Sequence, residues 1–273
     1  MTTGGSLGGK LFVVITHLLP PLAPAMWRWW YNTLARKDAA GELLFMNYGY
    51  ADDTTPLTLA PADEPYRYPL QLYRQVVAGL DLTGRDVLEV GSGRGGGAAW
   101  LARTGQPRRY LGVDLSDAAI AWCRQRHALH NLEFRTGRAD ALPVDDESFD
   151  VVVNVESSHG YPDMAGFLAE VRRVLRTGGH FAFCDLRTPS AMNHLHARWR
   201  ERGFEPVRRA DITARVLQAL DRVAAARTLR IQNRVPERWR RTIEDFAGVR
   251  GSALYAMLDD GRLVYHCAVL RKL

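Results

Sequence analysis

Residues 86–97, DVLEVGSGRGGG, decide the fold. Asp86-Val87-Leu88-Glu89-Val90 is a short apolar run bounded by turn formers, the pattern of a buried strand. Gly91, Ser92 and Gly93 make a tight turn, and Ala98-Ala99-Trp100-Leu101-Ala102 opens a helix. A strand, a glycine turn and a helix N-terminus leave backbone N–H groups aimed into a crevice at the end of a parallel sheet. Glycine lets a ligand approach the main chain closely. The stretch therefore builds a nucleotide-type pocket. A purely structural turn is the blander alternative.

Outward from this stretch, strands and helices alternate. Further strands are expected at Tyr110–Val113, Leu132–Thr136, Phe149–Val155, His180–Asp185, about Phe204–Asp211, and Arg262–Leu270. Helices are expected at about Tyr68–Gly79, Asp117–His130 with Ser116 as N-cap, Met164–Leu175, about Ser190–Arg202, 213–226 and 236–247, and Gly178-Gly179 reads as a turn. Repeated β-α units with right-handed crossovers give an α/β, doubly wound, Rossmann-like sheet.

The chain has 273 residues, 47% of them hydrophobic, which fits one large α/β domain with a cap or two small domains. Its net charge of +6 would suit an acidic partner, but Arg and Asp/Glu read as interspersed, a solvated mixed surface rather than a nucleic-acid groove. Cys123, Cys184 and Cys267 are far apart, which argues against a disulfide framework or zinc site and for a reducing cytoplasm. Residues 1–10 read as a flexible leader. Leu11–Trp27 is uncharged but broken by Pro20, Pro21 and Pro24. A signal peptide would look similar; the aromatic stretch that follows favours a hydrophobic cap that can touch a membrane loosely. Trp27, Trp30, Tyr31 and Leu34 fall at helical spacing, so this helix has an apolar face for packing or for covering a greasy substrate.

Ligands in such sheets sit at the C-terminal strand ends. The first strand offers Gly91, Ser92 and Gly93. The second ends in Asp114-Leu115, an acid placed to bind two ribose hydroxyls. After the third comes Asp140-Ala141-Leu142, where Asp140 can accept from an adenine amine and Leu115 and Leu142 can sandwich the ring. Each residue alone is more often a cap or a surface acid; together they favour adenosine. Gly91, Gly93 and Gly96 also satisfy a dinucleotide pattern. Glu89 opposes it: a carboxylate there repels pyrophosphate and can help to hold a cationic amino acid. S-adenosylmethionine has such an ammonium, a sulfonium, and no phosphate.

VLEVGSGRG (87–95), GVDLS (112–116), RADALP (138–143), ESFDVVVNVESSHGYPD (147–163) and RTGGHFAFCDLR (176–187) resemble the class I S-adenosylmethionine-dependent methyltransferases. MWRWWY (26–31), FMNYGYADD (45–53), ADEPYR (62–67) and the Glu156-Ser157-Ser158-His159 run resemble more narrowly the phthiotriol/phenolphthiotriol dimycocerosates methyltransferase group, from about Trp27 to the final strand. The resemblance implies a seven-stranded sheet with its last strand antiparallel, an N-terminal helical and aromatic cap over 11–67 and a methyltransferase domain over 68–273. It implies S-adenosyl-L-methionine as cofactor, with Asp114 and Asp140 as ligands. Glu89, Gly91, Ser92, Gly93, Leu115, Ala141, Asn154 and Val155 complete the expected cofactor set. Trp30, Tyr31, Tyr48 and Tyr161 are the expected substrate pocket. Ser92 and Gly160 stand where many relatives of this kind carry Cys, and Gly160 widens the expected pocket.

His159, just past the fourth strand, is the expected general base. Methylation of a hydroxyl is an in-line displacement in which a base must take the proton, and imidazole titrates near neutrality. Glu156 could orient His159, bind cofactor or cap the turn. His194 and His196 are reserve bases, and His127 with His130 reads as surface; no metal site is expected. The expected partner is an apolar hydroxylated small molecule and no nucleic acid, handled by a monomer or homodimer. Rival readings are N- or C-methylation, a nicotinamide-dependent dehydrogenase, an RNA methyltransferase, and a protein that keeps fold and cofactor without methyl transfer.

Overall fold

The computed structural model describes residues 44–55, 57–235 and 237–273. The leader, most of the cap, Trp30 and Tyr31 lie outside the described residues. Seven strands form one sheet: β1 (Asp86–Val90), β2 (Arg109–Asp114), β3 (Leu132–Thr136), β4 (Phe149–Val155), β5 (Leu175–Arg187), β6 (Phe204–Asp211) and β7 (Val264–Lys272). Their order is β3-β2-β1-β4-β5-β7-β6. β1 to β5 pair in parallel, and β7 inserts antiparallel between β5 and β6. Strand order reverses at the β1–β4 boundary, where such sheets bind their ligands.

The helices are α1 (Arg67–Val76), α2 (Gly96–Thr104), α3 (Asp117–Arg126), α4 (Met164–Val174), α5 (Pro189–Glu201), α6 (Thr213–Arg234), α7 (Glu237–Phe246) and α8 (Ala253–Asp259). All five residues of β1 are buried, as expected of a strand covered on both faces. Val87 packs towards α1 and α2 with Leu70, Tyr73 and Tyr110. Leu88 and Val90 pack on the other face with Phe149, Phe167 and Phe181.

Several expectations change at their edges. α3 stops at Arg126, because His127 turns extended and its Nε2 meets the Arg94 carbonyl at 2.9 Å. Ser116 caps it as expected, accepting from Ala119 N at 3.1 Å. The Gly178-Gly179 turn lies inside β5 as a bulge: Phe149 pairs with Leu175, then Val151 with His180. α6 runs eight residues beyond the expected end, to Arg234, and the short α8, capped by Ser252, was not anticipated.

One close approach locks the first crossover. A Cβ on Gly97 would lie 1.8 Å from the Tyr73 ring, so only glycine lets α2 pass that ring. Gly97→Ala is expected to destabilise the fold by about 1–3 kcal/mol, the usual cost of overpacking. Chemical denaturation measures it; unchanged stability would contradict the packing described.

Candidate active site

The strand ends enclose a cavity of about 680 Å³. Of the residues expected there, Gly91, Ser92, Gly93, Asp114, Leu115, Asp140, Val155, Glu156, His159, Tyr48 and Tyr161 line it. On one side is the glycine turn. Gly91 has φ +78°, and a Cβ on it would meet Ser157 Oγ at 2.3 Å. Ser92 Oγ is buried and finds no partner among the described residues. Asp114 Oδ2 accepts from Gly93 N at 2.8 Å and Oδ1 from Ser116 N at 2.9 Å. The turn thus aims that carboxylate, and burial raises its pKa. Leu115 is 38% exposed and lines the cavity, where it offers an apolar face.

Other placements differ from expectation. Asp140 lines the cavity, but Arg138 grips both its oxygens, at 2.9 and 2.6 Å, and holds its carboxyl below the usual range. Ala141 is outside the lining, and Leu142 is not an adenine sandwich: it is buried under the sheet, its N–H held by Glu170 at 2.6 Å. Glu89 does not reach the cavity. It lies one layer below, accepting from Tyr73 OH at 2.7 Å and Tyr110 OH at 2.8 Å. Tyr73 itself lines the cavity, so Glu89 positions the wall instead of forming it. Asn154 is also beneath, donating to Val90 O, Ser157 Oγ and Tyr161 OH. It ties the turn after β4 to the end of β1. His196 is no reserve base. It is buried between Trp199 and His266, its Nδ1 3.1 Å from Arg209, and burial with that cation pushes its pKa down to about 4. His194 also lies outside the cavity lining.

His159 faces Asp185, a residue to which the strand-end reading assigns no role. Nδ1 lies 2.7 Å from Asp185 Oδ1, and the His159 N–H donates to Oδ2 at 2.9 Å. Ser158 Oγ donates to Oδ2 at 2.6 Å, and Arg187 stands 3.3 Å away. Burial alone would raise the Asp185 pKa, but the His159 and Arg187 charges and these hydrogen bonds hold it well below the usual carboxylate range. Burial would likewise lower His159; the Asp185 carboxylate outweighs it, and the imidazole ends above its ordinary 6.5. Because an ionised carboxylate only accepts, Nδ1 carries the proton and Nε2 the basic lone pair.

Glu156 opens the same turn in a left-handed backbone conformation, φ +45°, of the kind that concentrates at functional sites. Its Oε1 accepts from Tyr48 N at 2.8 Å and from Tyr265 OH. Burial pushes its carboxyl up to about 7. Tyr48 OH donates to Phe246 O at 3.1 Å, so the segment beginning at Leu44 is strapped over the cavity. Tyr161 OH contacts Ser157 Oγ at 2.9 Å, and burial raises its pKa.

Comparison with known proteins agrees with this geometry. A family model described as a methyltransferase domain matches residues 88–183. The phthiotriol/phenolphthiotriol dimycocerosates methyltransferase of Mycobacterium tuberculosis is 40% identical over 241 residues, 88% of this chain and 89% of the relative. The fatty-acid O-methyltransferase of Mycolicibacterium smegmatis is 48% identical over 158 residues, 58% of each chain. Among solved structures, a putative sarcosine dimethylglycine methyltransferase from Galdieria sulphuraria superposes with a TM-score of 0.70 at 16% identity, covering 89% of this chain and 98% of that one. The [4+2]-cyclase SpnF superposes at 0.64 and 20% identity, covering 100% and 98%. Fold, site and family model together define an S-adenosylmethionine-dependent methyltransferase. More narrowly, the chain belongs to the phthiotriol/phenolphthiotriol dimycocerosates methyltransferase family.

The residues present fit the cofactor. The unsatisfied Ser92 Oγ and the Asp114 carboxylate are polar groups at the cavity wall, and exposed Leu115 offers an apolar face beside them. Burial also pushes Glu89 up to about 7. Unfolded, it loses its proton near 4.5, so between those values the native state binds more protons and stability falls as pH rises. Glu89→Gln should flatten that fall by up to roughly 3 kcal/mol between about pH 5 and about pH 7.5, read by urea denaturation at each pH. An unchanged slope would show that Glu89 contributes nothing to it.

Proposed function

We propose that this protein transfers a methyl group from S-adenosylmethionine to a hydroxyl of an apolar, lipid- or polyketide-type small molecule, with His159 as general base. One observation carries the reading: an imidazole braced at Nδ1 by a buried carboxylate lines the cavity that also contains the glycine turn and Asp114. The bound cofactor supplies an electrophilic methyl on a sulfonium. Gly91, Ser92, Gly93 and Asp114 would hold it, and Leu115 and Asp140 would meet its adenosine. His159 Nε2 takes the hydroxyl proton, and Asp185 stabilises the imidazolium that results. Tyr48 and Tyr161 bound the acceptor. Glu156 orders the turn that presents His159 and straps Tyr48 over the site.

The relatives' names support an apolar acceptor: one acts on phthiotriol-type lipids, another on a fatty acid. The base favours an alcohol over a carboxylic acid. A carboxylic acid is already ionised at neutral pH and needs no proton removed, whereas an aliphatic alcohol does.

His159→Ala is expected to keep cofactor affinity and lose about 10²–10⁴ in turnover. Asp114→Ala should lose cofactor affinity first. Calorimetry with S-adenosylhomocysteine and single-turnover transfer of a labelled methyl separate the two effects; near-normal turnover of His159→Ala would remove the base assignment.

Turnover should rise with pH as the imidazolium loses its proton, with a midpoint above 6.5. Asp185→Asn removes the charge that stabilises the imidazolium, so the rising limb should move to lower pH while the plateau drops. A rate–pH profile identical to that of the unaltered protein would remove Asp185 from the mechanism.

A further inference from the structure

The even mixing of charge expected from the sequence fails in one place. Residues 222–241 hold seven arginines, one acid (Glu237) and no lysine, a local charge of +6. The entire chain also sums to +6, so the remainder is neutral. This stretch forms the C-terminal half of α6 and the first half of α7.

The two helices pack on each other, and Arg240 ties their joint, donating to Val235 O at 3.1 Å and Gln232 O at 2.9 Å. Two large apolar side chains stand exposed near that joint, Leu229 at 58% and Trp239 at 46%. Not every arginine faces outward: Arg222 pairs with Asp53, and Arg227 donates to Ala247 O at 2.6 Å. Arg230, beside Leu229, is exposed and pairs with no carboxylate among the described residues. Arg241 is exposed too, its Nε 4.0 Å from Asp245.

We propose that the tip of the α6–α7 hairpin docks the protein on an anionic lipid surface, with Leu229 and Trp239 entering the headgroup layer and Arg230 and Arg241 meeting phosphates. Tryptophan and leucine beside arginine is the composition of interfacial segments, where an apolar ring gains burial while cations stay at the phosphates. Each cation near such a surface adds attraction that salt screens. An RNA would use the arginines but gives exposed Leu229 no apolar layer to enter. The placement suits the site. α7 ends at Phe246, which lines the cavity, so its ten residues set the tip about 15 Å from the cavity wall. A lipid-type acceptor could then reach the site without crossing bulk water. Docking itself is independent of which acceptor atom is methylated.

The test is co-sedimentation of the full chain with phosphatidylglycerol vesicles, phosphatidylcholine vesicles, and single-stranded RNA as a separate arm. Binding is expected to phosphatidylglycerol only, and to fall when salt rises from about 0.1 M to about 0.5 M. Arg230→Gln/Arg241→Gln should weaken it by at least about tenfold. Leu229→Ser/Trp239→Ser should weaken it to a similar extent. Calorimetry with S-adenosylhomocysteine confirms that both double variants remain folded. Four results would overturn the proposal: no binding to phosphatidylglycerol, equal binding to phosphatidylcholine, undiminished binding by either double variant, or RNA binding at least as tight and lost in the arginine variant.

Discussion

The site depends on the contact between two turns across the β1–β4 boundary. Gly91 and Ser157 approach so closely that no side chain fits between them. Asn154 bridges them from below, binding Val90 O on one side and Ser157 Oγ and Tyr161 OH on the other. The first turn carries the glycines that the proposed function assigns to the donor, and the second carries His159, its proposed base. Because both turns grow from adjacent parallel strands in the buried centre of the sheet, their separation is set by strand pairing rather than by loop motion. Displacement chemistry needs that rigidity, since much of its rate comes from holding donor and acceptor in line.

The acids around this contact differ in state because their surroundings differ. Asp185 is buried yet stays ionised: it faces His159 and Arg187 and accepts several hydrogen bonds. Glu89 is buried and Glu156 partly so; both accept hydrogen bonds from neutral donors, and desolvation pushes both up to about 7. A fully charged trio would repel any acceptor anion and cost several kcal/mol of desolvation per ion. The arrangement instead concentrates one firm negative charge behind His159, where it raises the basicity of the imidazole.

Much of this was legible from residues alone. Continuous apolar runs such as 86–90 and 149–155 place the central strands correctly because a strand covered on both faces has no alternation to misread. The ends of those strands follow directly, and with them Gly91, Asp114 and His159. Asp185 was harder. It lies near the end of β5 within a visible FCDLR run, but its pairing with His159 depends on the β4–β5 register, which a bulge offsets. Glu89 sits near the right turn, yet strand alternation sends it to the α1 face, towards Tyr73 and Tyr110. Ala141 and Leu142 miss the cavity because the chain dives under the sheet there. Charge read along the whole chain hid the arginine excess at 222–241, which falls on the two adjoining helices α6 and α7.

The most direct test of the account is the atom that receives the methyl group. The protein would be given a donor carrying a 13C-labelled methyl and, in parallel, long-chain secondary alcohols, the matching amines and the matching β-keto esters, with the products read by 13C NMR. The account predicts an oxygen-bound methyl formed from the alcohols. Transfer solely to nitrogen or carbon would contradict it, because the account makes a hydroxyl oxygen the atom that attacks the methyl group.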